Sequence, residues 1–158
     1  MCRGHAQIQT GKCVISMELI YVIPADAAQA SSDGKFSILG GGIENINATA
    51  FPAIQPGLAL VVRLLVLASE AEQNHKFSVN IIGPKDFQMG PGGIAEFKPT
   101  SLRGVSDRPL IVNLILNMQF LVFPEPGTYH FHLYVNDQEV GAFPLDVQKI
   151  NTGEISSS

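Results

Sequence analysis

Two histidines, His130 and His132, stand two apart in the stretch Thr128–Val135. In an extended chain that spacing points both imidazoles the same way. A pair so placed can chelate a transition metal, but a closed site needs a third or fourth ligand. His75 and Asp146 are the residue types that could supply one, and nothing in the sequence brings either near. The plainer reading makes His130 and His132 outward polar positions, alternating with Tyr129, Phe131 and Leu133 on a half-exposed strand. Cys2, His5 and Cys13 form a second cluster, but their spacing follows no zinc pattern, so they read as incidental thiols in a polar lead. There is no Gly-x-Ser-x-Gly elbow and no cysteine poised beside a histidine. Asp and Glu fall mostly in turns, without the acid density of a calcium loop. Gly40-Gly41-Gly42 lacks the Lys-Ser/Thr that a phosphate-binding loop requires. No catalytic residue and no cofactor is assigned.

Composition narrows the partners. The 158 residues carry a formal net charge of −4, and only 15% are charged. Lys and Arg are scattered singly, whereas a nucleic-acid binder concentrates them on one face. The longest apolar run, Leu58–Ala68, holds Arg63 at its middle and is about half the ~20 residues a membrane-spanning helix needs. The expected partners are therefore protein, either another chain or a second copy, with no nucleic acid and no membrane. Cytoplasmic location is expected, since no cysteine falls in a core segment. Secretion is the alternative. Lys12, the apolar run Val14–Ile23 and Ala28-Gln29-Ala30 resemble a leader, which Glu18, Pro24 and Asp26 interrupt. The sequon Asn47-Ala48-Thr49 matters only in that case.

The elements follow from periodicity. Residues 1–16 show no period and read as a loose lead, with Met17 a candidate for the true start. Residues 17–150 read as one domain and 151–158 as a disordered tail. Strands are expected at Leu19–Ile23, Lys35–Ile43, Leu58–Ser69, Lys76–Ile82, Ile94–Phe97, Leu110–Phe123, Thr128–Val135 and Glu139–Val147. Pro24 ends the first, the three glycines bend the second, and Gly90-Pro91-Gly92-Gly93 reads as a flexible turn. Pro144 sets the last strand at an edge or a bulge. About eight strands without a helical pattern give an all-β fold, an antiparallel two-sheet sandwich with open edges.

The second face of the two longest strands departs from that pattern. Leu58, Leu60, Val62, Leu64 and Val66 form an inward row, as do Leu110, Val112, Leu114, Leu116, Met118, Phe120 and Val122. The opposite face should then be polar. It carries Ala59, Val61, Arg63, Leu65 and Leu67 on one strand and Ile111, Ile115, Leu121 and Phe123 on the other. Either a loop covers it, Pro84–Arg108 or the N-terminal segment, or it is an interface. The interface reading rests on Val61, Leu65, Leu67, Ile111, Ile115 and Leu121.

Several motifs occur in a recognisable order. Asp33-Gly34-Lys35-Phe36-Ser37-Ile38-Leu39-Gly40-Gly41-Gly42-Ile43 is followed by Phe51-Pro52 and the long apolar strand to Glu70. His75 then opens a strand, and Pro124-Glu125-Pro126-Gly127-Thr128-Tyr129 leads into a hairpin. Over Leu19 to Val147 this resembles a family of uncharacterised bacterial proteins defined only as a domain of unknown function. The resemblance implies a cytoplasmic bacterial sandwich of immunoglobulin-like or C2-like form, and no activity or site residue. Three functions are carried forward. The first is a non-enzymatic interaction or structural module. The second is a small-ligand or carbohydrate binder stacking on Phe87, Tyr134 or Tyr21. The third is a metal protein or enzyme built on His130 and His132.

Overall fold

Alternating apolar residues with few helix formers produce strands throughout the computed structural model, which describes residues 17–101 and 107–151. These are β1 (Met17–Ala30), β2 (Phe36–Gly41), β3 (Asn45–Ala48), β4 (Ala53–Val66), β5 (His75–Ile82), β6 (Gln88–Phe97), β7 (Leu110–Phe123), β8 (Gly127–Val135) and β9 (Gln138–Lys149). They form two sheets. Sheet A has the order β2-β1-β4-β7 and sheet B the order β3-β9-β8-β5-β6. Sheet A is antiparallel throughout, whereas β3 pairs with β9 in parallel, so sheet B is mixed.

The core lies between the sheets. From β4 come Leu58, Leu60, Val62, Leu64 and Val66, all buried as the alternation requires. Facing them are Phe77, Val79 and Ile81 of β5, Tyr129, Phe131, Leu133 and Val135 of β8, and Leu145 and Val147 of β9. Gly141 closes one side of the sandwich, because a Cβ there would come within 2.5 Å of Leu19. On the other side β6 passes against β7. A Cβ on Gly92 would lie 3.0 Å from the Met118 sulfur, and one on Gly93 would lie 3.0 Å from Leu116. Those glycines are thus part of β6, not the flexible turn their composition suggests. The turn is Gly83–Phe87, where the Gly83 N–H donates to the Phe87 carbonyl at 2.7 Å.

Two further expectations are corrected. Strand β1 does not stop at Pro24 but continues to Ala30, and residues 25–30 pair with β2 rather than forming a loop. The Pro24 carbonyl accepts from the Gly42 and Ile43 N–H groups at 2.8 and 3.1 Å. Its ring nitrogen therefore faces the point where β2 has ended, so no ladder donor is missed there. Pro144 fits the edge rule similarly, since β3 reaches only Asp146–Lys149 and leaves Pro144 with β8 alone. The second correction falls at Phe120, whose φ of 54° puts a bulky residue in the left-handed region. This turn reverses the facing of the last part of β7. Phe123 is buried and Leu121 packs against the core, while Phe120 and Val122 are exposed. Strict alternation assigns all four the other way.

The start of β8 is fixed by a tyrosine. Tyr129 is fully buried with its ring edge-on to Phe123 at 4.8 Å. Its hydroxyl donates to the Glu125 carbonyl at 2.7 Å and lies 3.3 Å from the Glu125 N–H. Desolvation holds the phenol above its usual value of 10.0.

Two mutational tests follow from this packing, both read by denaturant unfolding. Phe123→Ala costs about 3–5 kcal/mol as a buried aromatic truncation, while Phe120→Ala stays within about 0.5 kcal/mol of the parent. The reverse order of costs would mean that β7 keeps strict alternation. Tyr129→Phe strands both Glu125 backbone groups and costs about 1–2 kcal/mol. Because the folded state raises this phenol, its contribution is complete below the unfolded value and is lost as pH rises beyond it through the raised folded value. The gap between parent and Tyr129→Phe narrows accordingly in alkaline solution.

Candidate interaction surface

The side chains with chemical potential do not converge. His130 and His132 share the outward face of sheet B, with ring centroids 6.4 Å apart. Nδ1 of His132 lies 3.4 Å from a Glu139 carboxylate oxygen. Asp146 occupies the same face opposite Thr128, whose hydroxyl donates to its carboxylate at 2.7 Å. His75 is on the other side of the sheet. It is buried against Phe97, with Nε2 2.9 Å from the Glu70 carbonyl and Nδ1 2.8 Å from the Asn136 amide nitrogen. The Asn136 oxygen accepts from the Lys76 N–H at 3.0 Å, which fixes the amide's orientation. The ring proton of His75 must then sit on Nε2, and both nitrogens are engaged. His75 ties the β8–β9 turn to β5 and is not available as a metal ligand. Among the described residues no group of three or more His, Cys, Asp or Glu is placed to hold a metal ion. Cys2, His5 and Cys13 lie outside them.

The aromatic residues are also separated. Tyr21 stands opposite Arg63 on the outward face of sheet A, and Tyr134 opposite Ser78 on sheet B. Phe87 projects from the β5–β6 turn, at the other end of sheet B from Tyr134. They do not form one stacking platform.

Apolar exposure gathers instead on sheet A. Of the eight exposed large hydrophobics, six belong to it: Ile20, Leu39, Ile54, Ile111, Phe120 and Val122. Phe120 is 70% exposed, and the cross-strand pair Ile54 and Val122 is 62% and 46% exposed. Across the four strands only Glu18, Asp26 and Arg63 are charged. On the outward face the rows run Ala25–Ala59–Asn117, Ile23–Val61–Ile115, Tyr21–Arg63–Asn113 and Glu18–Leu65–Ile111. Of the six residues expected at an interface, Ile111 is 44% exposed and Ile115 and Leu65 are half-buried on this face. Val61 is on the face but fully buried, so it supports its neighbours without meeting solvent. Leu67 lies just past the end of β4, and the left-handed turn at Phe120 sends Leu121 inward. Of the two expected covers, the central part of Pro84–Arg108 is β6 in the opposite sheet, while residues 102–106 and the N-terminal segment 1–16 lie outside the described residues.

Residue composition alone does not reveal the edge. Strand β7 pairs with β4 along one side from Leu110 to Phe123, and no described strand pairs with its other side. Its 14 residues contain no charge, no proline and no glycine. Natural sheets blunt long edges with such residues.

The strand order, with β1, β4 and β7 facing β5, β8 and β9, and the hydroxyl tie from Tyr129 at the start of β8, define an immunoglobulin-like sandwich. Phe131 stands two residues after that tyrosine, where antibody domains place a bridging cysteine. The chain belongs to the family of unknown function DUF6941, whose pattern it matches over residues 20–148. A search of curated proteins found no match. Among solved structures it is similar to part of the Pseudomonas fluorescens alkylpurine DNA glycosylase AlkC bound to DNA containing an abasic site analog. The identity is 14% and the TM-score 0.47, and the match covers 84% of this chain but only 30% of that one. No helix among the described residues is long and apolar enough to cross a membrane.

Asn136→Gly, which keeps the left-handed backbone but removes the amide, should lower stability by about 1–3 kcal/mol by stranding Nδ1 of His75 and the Lys76 N–H. Zinc should leave the thermal midpoint unchanged. A zinc-dependent rise abolished by His130→Ala with His132→Ala would instead make that pair ligands.

Proposed function

We propose that the chain is a non-enzymatic interaction module that associates through sheet A, by its open β7 edge and the adjoining outward apolar residues. The observation that carries this reading is the uncharged, 14-residue β7 with one described strand neighbour, bordered by exposed Ile111, Phe120 and Val122. Backbone N–H and C=O groups along a free edge offer affinity to an added strand, and the alternating side chains offer selectivity. Sheet B lacks this combination. Its edge β6 carries Pro91, Glu96 and three glycines, and its edge β3 is four residues long. A protein partner or a second copy is the occupant, and a cytoplasmic setting goes with that reading.

The test compares matched charge insertions on the two sheets. Ile111→Lys with Val122→Lys should abolish association, measured by cross-linking and co-purification from the native source together with solution mass. Ile94→Lys on sheet B, at a position 57% exposed, should leave association intact. If the sheet A variant associates as the parent does, the reading fails.

A further inference from the structure

We infer that the β7 edge pairs with the β7 edge of a second copy, antiparallel and centred on Ile115, joining the two A sheets into one continuous sheet. This rests on the reading of β7 as an association edge and specifies its occupant. The stretch Val112-Asn113-Leu114-Ile115-Leu116-Asn117-Met118 is a palindrome in side-chain type about Ile115. A two-fold axis normal to the sheet at that residue sets Leu114 against Leu116 of the second copy and Asn113 against its Asn117. Val112 meets Met118, Ile115 meets itself, and at each end Ile111 meets Gln119. Moving the centre to residue 114 or 116 sets an asparagine against Ile115. Centring between residues would oppose inward with outward side chains, which one continuous sheet does not allow. Centring on Asn113 also pairs like with like, but β7 begins at Leu110, so that register engages only Leu110–Leu116 whereas the Ile115 centre engages Ile111–Gln119; the longer ladder favours Ile115.

Facing and burial agree with this pairing. Leu110, Val112 and Leu114 point inward but are only half-buried, as expected at the open side of a sandwich that lacks a further strand. A second β7 would cover them with inward residues of the same kind. On the outward face the row Ile23–Val61–Ile115 would continue across the axis into its own copy. The left-handed Phe120 ends the regular strand immediately after Gln119, so the paired stretch lies within regular strand. Such an interface is isologous and closes after two copies, which disposes of the edge without fibre growth.

The test uses the full chain and two charge patterns at exposed positions. Sedimentation and light scattering of the parent should give twice the 17.0 kDa of the single chain. Asn113→Glu with Asn117→Glu opposes carboxylates across the axis at both pairs. It should weaken dimerisation at least about tenfold. Asn113→Glu with Asn117→Lys opposes unlike charges in the same register and should restore it. Both asparagines are exposed, so circular dichroism should match the parent. A parent that stays monomeric at high concentration overturns the inference, and so does a dimer that responds alike to both variants. If a monomeric parent still loses another protein through Ile111→Lys with Val122→Lys, only the self-pairing fails and the interaction module stands.

Discussion

The structure depends on the inward row of β4 packing against the rows of β5 and β8. Leu58, Leu60, Val62, Leu64 and Val66 meet Phe77, Val79 and Ile81 on one strand and Phe131 and Leu133 on the other, all excluded from water. Burying each of these side chains stabilises the fold by roughly 1.5–3 kcal/mol on a transfer scale. Because the side-chain period in a strand is two, this one contact fixes the register of β4, and β4 fixes β1 and β7 beside it. No disulfide or helix is needed to close the sandwich within the described residues.

Local devices then adapt that frame. Tyr129 anchors the turn before β8, and His75 anchors the turn after it through Asn136. Both are buried polar groups whose partners are backbone or amide atoms, so they act as fasteners with no chemistry to spare. Glycines 92 and 93 let β6 close over Leu116 and Met118, and Gly141 does the same for Leu19. Polar side chains such as His130, His132 and Asp146 are left on the outward face of sheet B, each with a separate neighbour.

Association through β7 is compatible with everything the core requires. A strand can accept a second neighbour without disturbing the first, since its backbone groups point alternately to the two sides. The cost of leaving the edge open is the exposure of Ile111, Phe120 and Val122. A partner strand would meet outward and inward residues alike, and the exposed Asn113 and Asn117 can be changed while the inward row is left alone. Immunoglobulin-like sandwiches serve many functions, so the edge and not the fold carries the reading.

Period-two alternation made β4, most of β7, β5 and β8 legible from sequence, and with them the core and the two-sheet class. Turn chemistry was legible where it depended on a local pair, as at Ser31–Gly34 and Asn136-Asp137. What sequence could not reach were decisions made by distant neighbours. Pro24 ends no strand because β2 stops where its missing N–H would count, and Gly90–Gly93 is strand because β7 passes close beneath it. Phe120 breaks its strand's alternation through a backbone angle that residue type does not announce. The sequence by itself determined that an apolar outward face exists and that β7 is long and uncharged. Only the tertiary structure decided that β7 lies at an edge among the described strands, because strand order is set by how two sheets share one core and by no property local to the strand.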